Sequence, residues 1–466
     1  MGFLRGVPPN TATLTMQAEF GDVYQYWIGP LRVIGVCNVE DIQYIFAHRH
    51  IYEKSSSHMD RLRVFLPDSL VSTTGANYKR HATIVLSLFR GAKVLSNLHL
   101  IYDCTDKLLD VWRSQADDPS YIHLDMVKDC QNLLLDIFGF IGFDYDLQTL
   151  GNDDSSQSNR LKKSLKDYLD VIALALLLPV TIAKIYVKFN SRYRQALNVI
   201  REYTDRIIEQ EQSKGSETIL ERKRKCLIAS LVGSRQQDEK IELALPEEKR
   251  KGLSSKEIFE EILLFLVAGS ETTSTALSWF IHLTSKNPRV QAKIKAELGD
   301  NRQHYLSIEQ LDSLEYLDCV IQEVLRFVPP AISTIRSVTS DDRLPASGAQ
   351  LYKDDEVIIN IYNLTRDKRY WKIDPDLFYP ERFQGEDKDH HPFTLIPFGG
   401  GHRQCIGQDL ARFELKAIIA RLMQRVTFGD GGPQNHLKLS HADYNPPESI
   451  SFSNQLQLLA EVDHLS

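Results

Sequence analysis

The stretch that decides the fold is a glycine-rich segment that ends in a cysteine, Phe398-Gly399-Gly400-Gly401-His402-Arg403-Gln404-Cys405-Ile406-Gly407. Glycines let backbone N–H groups approach the Cys405 sulfur, where a larger side chain would block them. An amphipathic helix is predicted to follow, and a helix N-terminus favours a thiolate because it carries partial positive charge. The pattern therefore predicts a cysteine thiolate that binds a metal. The ordinary alternative is a buried free cysteine after a flexible loop.

A second motif lies inside the longest predicted helix, which begins at Ser254 or Ser255 and ends before Pro288. Residues 262–267 are all apolar, so this helix is expected to cross the protein interior. The motif itself follows as Ala268-Gly269-Ser270-Glu271-Thr272-Thr273. A glycine and a threonine that bonds back to a carbonyl are expected to bend the helix and open a groove for water or dioxygen. The alternative is a threonine-rich turn at a packing kink.

A third motif pairs Glu323 with Arg326, which lie three residues apart and share a helix face. Alone, such a pair is weak evidence for a functional or structural motif, because pairs of this kind occur by chance on many helices. Here it precedes two prolines, and a later segment, Pro380-Glu381-Arg382-Phe383, supplies a second arginine.

In this order, the segments resemble the motifs of the cytochrome P-450 superfamily: A-G-x-[D/E]-T-T, E-x-x-R, P-E-R-F and F-G-x-G-x-R-x-C-x-G. The resemblance covers the chain from about Gly21 to its end. It implies a mainly α fold with a small β-rich lobe, and haem b between the long central helix and the Cys405 loop. We expect residues 1–20 to be a lead-in and 21–466 to form a single domain, with the β-rich lobe mainly at 21–50 and 331–365.

The same resemblance assigns roles to residues. Cys405 is implied to be the axial thiolate of the haem iron, and therefore the metal ligand. Glu271 would feed protons inward, and Thr272 would hold a water molecule or the reacting oxygen. A buried structural network without catalytic role is implied for Glu323, Arg326 and Arg382. The other implied cofactor-binding residues are Arg403, Arg336, Phe398, Gly399, Gly401, Gly407, Ala268 and Tyr78.

One segment departs from the family pattern. Where the family has W-x-x-x-R, whose two ends contact a haem propionate, this chain reads Tyr78-Lys79-Arg80-His81-Ala82. Tyr78 can still donate one hydrogen bond, and His81 lies one residue from the expected face. We therefore expect a propionate site with one cation fewer. The alternative to a propionate role for Arg336 is a surface charge in a strand.

The activity that the resemblance implies is that of a monooxygenase, which inserts one oxygen atom into an apolar organic substrate with electrons supplied from outside. The alternatives are a haem-thiolate peroxide isomerase and a non-catalytic haem-binding protein. No dinucleotide-binding fingerprint is found, so an NADPH-dependent flavin reductase is the expected partner, with cytochrome b5 as an additional candidate. Positive charge for docking is expected from Lys79, Arg80, Arg403, Arg412 and Lys416.

Composition adds weaker constraints. A net charge of −7 without a basic stripe argues against nucleic-acid binding. Six scattered cysteines without paired spacing favour reduced thiols in a compartment that is the cytosol or faces it. Residues 1–20 contain no long apolar run, so we expect either a soluble cytoplasmic form or a chain that starts after an anchor helix. The apolar residues 171–183 predict either a buried helix or a peripheral contact with the endoplasmic reticulum membrane.

Overall fold

The computed structural model describes residues 9–86, 89, 92–115, 126–150, 157–214, 226–235, 244–299 and 304–429. The chain divides into two compact units. One comprises Met1–His58, Thr275–Cys405 and Met423–Ser466, and the other comprises Met59–Ser274 and Ile406–Leu422. The single domain that we expect for 21–466 stays a prediction.

Helices dominate the described part of the chain. From the amino end they are α1 (Pro9–Phe20), α2 (Val39–Ala47), α3 (Ser56–Leu62), α4 (Gly75–Val85), α5 (Ala92–Leu95), α6 (Leu98–Gln115), α7 (Met126–Phe143), α8 (Gln157–Leu177), α9 (Val180–Phe189), α10 (Ser191–Gln212), α11 (Leu227–Gly233), α12 (Ser255–Lys286), α13 (Pro288–Leu298), α14 (Ile308–Asp312), α15 (Glu315–Phe327), α16 (Ile361–Arg366) and α17 (Gln408–Arg425). Short 3-10 turns cover Glu247–Lys249, Pro380–Phe383, Pro392–Thr394 and Gly401–Arg403.

The first unit contains the sheets. Their strands are β1 (Val23–Ile28), β2 (Leu31–Val36), β3 (Tyr52–Lys54), β4 (Thr334–Val338), β5 (Asp342–Arg343), β6 (Gln350–Leu351) and β7 (Glu356–Ile359). Five strands form one sheet in the order β1-β2-β7-β4-β3, in which β2 and β7 are parallel and the other neighbours antiparallel. The strands β5 and β6 pair separately. The mainly α fold with a small β-rich part agrees with the prediction.

Local signals explain several of these elements. The strands β1 and β2 form a hairpin, paired from Val23 opposite Val36 to Ile28 opposite Leu31. The Asn38 side chain accepts a hydrogen bond from the Asp41 backbone N–H at 3.1 Å, which caps α2 as its sequence predicts. Between Lys54 and Gly75 the chain forms the short helix α3.

The helix α12 has the bounds that its sequence predicts, Ser255–Lys286. Nearly every residue from 258 to 278 is buried, because the run is apolar on all sides or carries small hydroxyl residues. Within the described residues, no helix is both long enough and apolar enough to span a bilayer.

Candidate haem-binding and proton-delivery sites

The loop before α17 holds Cys405 at the protein surface. Cys405 is exposed, whereas the five other cysteines, all within the described residues, are buried. The Cys405 backbone N–H donates to the Phe398 carbonyl at 2.9 Å, which closes the loop around the 3-10 turn Gly401–Arg403. This hydrogen bond fixes the loop that carries Cys405, and because Cys405 is exposed it is not the buried free cysteine of the alternative interpretation.

Glycines shape this loop for two separate reasons. Gly399 and Gly401 have φ angles of 71° and 69°, in the left-handed region that side chains disfavour. A Cβ at Gly400 would lie 2.8 Å from the Phe46 ring, and one at Gly401 would lie 2.8 Å from the Phe46 carbonyl oxygen. The Gly407 carbonyl accepts a hydrogen bond from the Ala411 N–H at 2.9 Å, and this bond begins the first turn of α17. The glycine pattern therefore encodes the loop's conformation and its close packing on α2.

Two predicted cations lie beside the loop. Arg336 is buried on β4, so the surface-charge alternative is wrong. Its guanidinium donates to the Gly400 carbonyl at 3.3 Å and lies over the Phe46 ring, 5.4 Å from the ring centre. Burial, with the nearby Arg403 charge, lowers the pKa of Arg336 to about 10. The Arg403 side chain is only 7% exposed. Lys54 on β3 lies directly opposite Arg336 in the strand register, a pairing that the sequence did not indicate.

The predicted oxygen-activation motif lies at an opening in α12. Between residues 258 and 278, the positions that are not fully buried are Ala268, Gly269 and Thr272, which share one helix face. The Thr272 hydroxyl donates to the Ala268 carbonyl at 3.0 Å, the back-bond that we expected. A polar, partly open turn therefore interrupts an otherwise buried helix.

Glu271 is buried beside that opening, and its partner comes from α7. The Gln131 side-chain amide donates to a Glu271 carboxylate oxygen at 3.2 Å. Burial raises the pKa of Glu271 to about 7, although the Gln131 hydrogen bond acts in the opposite direction. Such a carboxyl can both take and release a proton near neutral pH. Gln131 was missed because no local sequence signal links it to a residue 140 positions away.

Gly269 lies where α12 packs closely against α7. The helix continues without interruption through the motif. A Cβ at position 269 would lie 2.7 Å from the Phe138 ring of α7. Glycine is therefore needed here for close packing between two helices, and the predicted bend does not interrupt the helix.

The three residues predicted to form a structural network do meet, and all three side chains are fully buried. The Glu323 carboxylate accepts from Arg326 at 2.7 Å and from Arg382 at 3.1 Å. Asp387 accepts from Arg382 at 2.9 Å and is a fourth member that the sequence did not indicate. The Trp371 ring lies 5.3 Å from the Arg326 guanidinium and 5.7 Å from that of Arg382. The network joins α15 to the segment that contains the Pro380–Phe383 turn, and its lack of a catalytic role stays a prediction.

The segment that departs from the family pattern lies on α4. Tyr78 is half-buried there. The His81 ring is fully buried and bonds to Glu261 at 2.6 Å and to Glu257 at 3.3 Å. Burial opposes protonation of His81, but these two carboxylates outweigh it and raise the pKa of His81 above its usual value. Arg80 also pairs with Glu257. Arg80 and His81 are therefore already paired with carboxylates of α12, whereas Lys79 of the same segment is exposed.

Burial also corrects two further expectations. The helix α17 is buried on all sides from residue 413 to residue 424, so it is not amphipathic. Lys416 on this helix and Arg80 on α4 are both buried. Neither can therefore belong to the positive surface that was predicted to dock the electron donor. Lys79 stays exposed and Arg412 half-exposed.

Comparison with known proteins agrees with this geometry. The family model described as Cytochrome P450 matches residues 4–443. The chain is 27% identical over 451 residues to cytochrome P450 monooxygenase 205 of Postia placenta, covering 88% of this chain and 80% of that relative. It is 26% identical to mouse cytochrome P450 4V2, covering 86% and 76%, and 26% identical to rat cytochrome P450 4F5, covering 91% and 82%.

The chain belongs to the cytochrome P450 family. It is a haem-thiolate monooxygenase, an oxidoreductase that inserts one atom of molecular oxygen into an organic substrate and takes electrons from a separate electron-transfer partner.

Proposed function

We propose that the cofactor is haem b, held through the Cys405 thiolate. The observation that carries this proposal is the combination of the exposed Cys405 thiol with two buried arginines, Arg336 and Arg403, in one unit of the chain. A thiolate suits an iron ligand, and buried guanidinium groups suit the carboxylates of haem propionates. The loop glycines Gly399 and Gly401, with Phe398 and Gly407, hold the conformation that presents the thiol. When bound, the haem supplies the oxygen-activating redox chemistry.

Glu271 and Thr272 are proposed to deliver protons to the oxygen pocket. Glu271 has a pKa of about 7, so at neutral pH it exchanges protons readily in both directions. Gln131 donates to one carboxylate oxygen and so helps to orient the carboxyl group. Thr272 stands on the partly open face beside Ala268, where its hydroxyl can hold a water molecule. Tyr78 is proposed to donate one hydrogen bond to a propionate.

The electron donor is proposed to be an NADPH-dependent flavin reductase, with cytochrome b5 as a second candidate. The support is chemical, since the sequence contains no dinucleotide-binding fingerprint through which this chain would take electrons from NADPH itself. Lys79 and Arg412 are the predicted docking cations that keep surface exposure. An apolar small molecule is the proposed substrate, because the open turn of α12 begins at Ala268 and follows an entirely apolar run.

A membrane-facing surface is proposed on α8 and α9. The first part of the apolar segment is buried, so the buried-helix reading holds for Val171 to Ala173. Five large apolar side chains nevertheless project outward, between 46% and 72% exposed: Leu174, Leu177, Ile182, Ile185 and Phe189. The exposed lysines of α9, Lys184 and Lys188, would remain at the headgroups. This surface supports a peripheral position at the cytosolic side of the endoplasmic reticulum membrane.

Reconstituted turnover tests the function. The purified protein, a flavin reductase, NADPH and a panel of apolar substrates are expected to give oxygenated product in step with NADPH consumption. Absence of reductase-dependent NADPH consumption across the panel would contradict the proposal.

Flotation with phosphatidylcholine vesicles tests the membrane surface. The double change Leu177→Ser and Ile185→Ser is expected to reduce vesicle binding. The control change Leu377→Ser replaces a leucine of similar exposure, 54% against 63% for Leu177 and 60% for Ile185, outside α8 and α9. Equal loss of binding by the control would contradict a surface built by these two helices.

A further inference from the structure

The exposed apolar surface of α8 and α9 lies in a segment of the chain that contains no acidic residue. Residues 171–201 contain no Asp and no Glu, whereas the whole chain carries a net charge of −7. The segment's basic residues are Lys184, Lys188, Arg192, Arg194 and Arg201. The charge of this segment is therefore opposite in sign to that of the protein.

The helix α9 places two of these cations beside an apolar stripe. It buries Ala183 and Val187, which lie one turn apart. Lys184 and Lys188 also lie one turn apart, and both are exposed. At helical spacing they fall between the buried face and the stripe. The exposed apolar side chains that form the stripe are Ile182, Ile185 and Phe189. A helix of this kind lies in a membrane interface with its apolar stripe towards the acyl chains and its lysines at the headgroups.

The two lysines are free to pair with charges outside the protein. Neither Lys184 nor Lys188 belongs to an ion pair within the part of the chain that the structure describes. The Lys188 ammonium lies over the Phe189 ring, 5.9 Å from the ring centre. Arg192, by contrast, donates to Asp167 and to Asp170 of α8, each at 2.7 Å. The cations that remain available to a partner are therefore those beside the apolar stripe.

We propose that the membrane-facing surface of α8 and α9 selects membranes with anionic phospholipid headgroups. The inference rests on the proposed function, since it requires this surface to bind a membrane. An anionic membrane repels a protein of net charge −7 as a whole, so attraction requires a local positive surface. That surface must lie within a Debye length of the headgroups, about 8 Å at physiological salt. Lys184 and Lys188 meet this requirement and so also determine which face of the protein approaches the membrane.

The expected effect follows from the number of charges. Each basic residue close to an anionic membrane surface strengthens binding about fivefold. Lys184 and Lys188 together should therefore contribute about 30-fold. This contribution should disappear near 1 M salt, where the Debye length is about 3 Å.

The test is flotation of the purified holoenzyme with two kinds of vesicle, phosphatidylcholine alone and phosphatidylcholine mixed with phosphatidylserine. At physiological salt the wild type should bind the mixed vesicles more tightly, and high salt should remove this preference. The double change Lys184→Gln and Lys188→Gln should weaken binding to the mixed vesicles about 30-fold and leave binding to phosphatidylcholine unchanged. The double change Lys184→Arg and Lys188→Arg should match the wild type, because it keeps both charges.

A matched control separates local charge from net charge. The double change Lys163→Gln and Lys166→Gln removes the same net charge from exposed positions of α8. Lys166 lies about 12 Å along the helix before Leu174, the first exposed apolar residue of the surface. At that distance screening leaves little attraction, so this variant should bind the mixed vesicles as the wild type does.

Three outcomes would overturn the inference while the membrane surface stays in place or is reassigned. The first is equal binding of the wild type to both kinds of vesicle at physiological salt. The second is an equal loss of binding in the control variant. The third is a dimer without vesicles that the double change Leu177→Ser and Ile185→Ser abolishes, since it would assign the surface to a second copy of this chain.

A different result would overturn the proposed membrane surface itself. A wild type that binds neither kind of vesicle would remove both the surface and its preference for anionic lipid. Binding to phosphatidylcholine without a preference removes the preference alone. The two failures are therefore distinguishable in one experiment, and the wild-type comparison at two salt concentrations needs no variant to fold.

Discussion

Replacing Glu271 by glutamine should remove most of the proton supply. A carboxyl with a pKa of 4.5 is protonated at neutral pH in roughly one molecule in 300, whereas one with a pKa of about 7 is protonated in about half. Burial in α12 thus raises the protonated fraction by roughly two orders of magnitude. Glutamine keeps the shape and cannot transfer a proton. We expect kcat to fall about 100-fold, at the lower end of what general acid–base catalysis contributes.

The pH profile gives the sharper assay for this change. The proton-donating form of Glu271 declines as pH rises through about 7, so wild-type kcat should fall there, and this inflection should vanish in Glu271→Gln. Glu260→Gln is the matched control. Glu260 is a buried carboxyl of the same helix with a pKa also raised to about 7 by burial, but it accepts from the Asp68 backbone N–H. An unchanged profile in Glu271→Gln, or the same loss in Glu260→Gln, would refute the reasoning.

Three further changes test the packing and the charge network. Glu323→Gln leaves Arg326 and Arg382 buried without their shared carboxylate and should destabilise the protein by roughly 3–5 kcal/mol, seen as a lower Tm; an unchanged Tm would contradict this. Gly269→Ala should lower the free energy of unfolding by about 1–3 kcal/mol, because the added methyl group overpacks against Phe138, although alanine has the higher helix propensity. The expected result is a lower Tm, and a raised Tm would contradict it. Burial raises the pKa of Glu414 to about 8, so the folded protein loses stability as pH rises from about 4.5 to 8 and this carboxyl is driven to ionise. Glu414→Gln should make the free energy of unfolding, measured with urea, depend less on pH in this range. An unchanged pH dependence would contradict the assignment.

Local chemistry explains what the sequence predicts well. The cap at Asn38 and the bounds of α12 follow from residues within a few positions of each other. The network of Glu323, Arg326 and Arg382 was predictable because each member belongs to a motif with a fixed order along the chain. Its fourth member, Asp387, belongs to no such motif, and only the folded chain brings it to Arg382.

Pairings between distant segments could not be predicted from the sequence. Lys54 is defined by its register opposite Arg336, which no pattern around residue 54 encodes. Gln131 meets Glu271 only because α7 packs on α12, and that packing in turn requires Gly269 beside Phe138. The amphipathic reading of α17 failed because polar residues such as Glu414 are buried with the apolar ones.

The central claim is that Cys405 supplies a thiolate to haem iron. The most direct measurement is the absorption spectrum of the dithionite-reduced protein with carbon monoxide, for wild type and Cys405→Ser. A strongly red-shifted Soret band in wild type that disappears in Cys405→Ser is the result that we predict. A wild-type band at the position of histidine-ligated haem, or a red-shifted band that survives in Cys405→Ser, would contradict the claim.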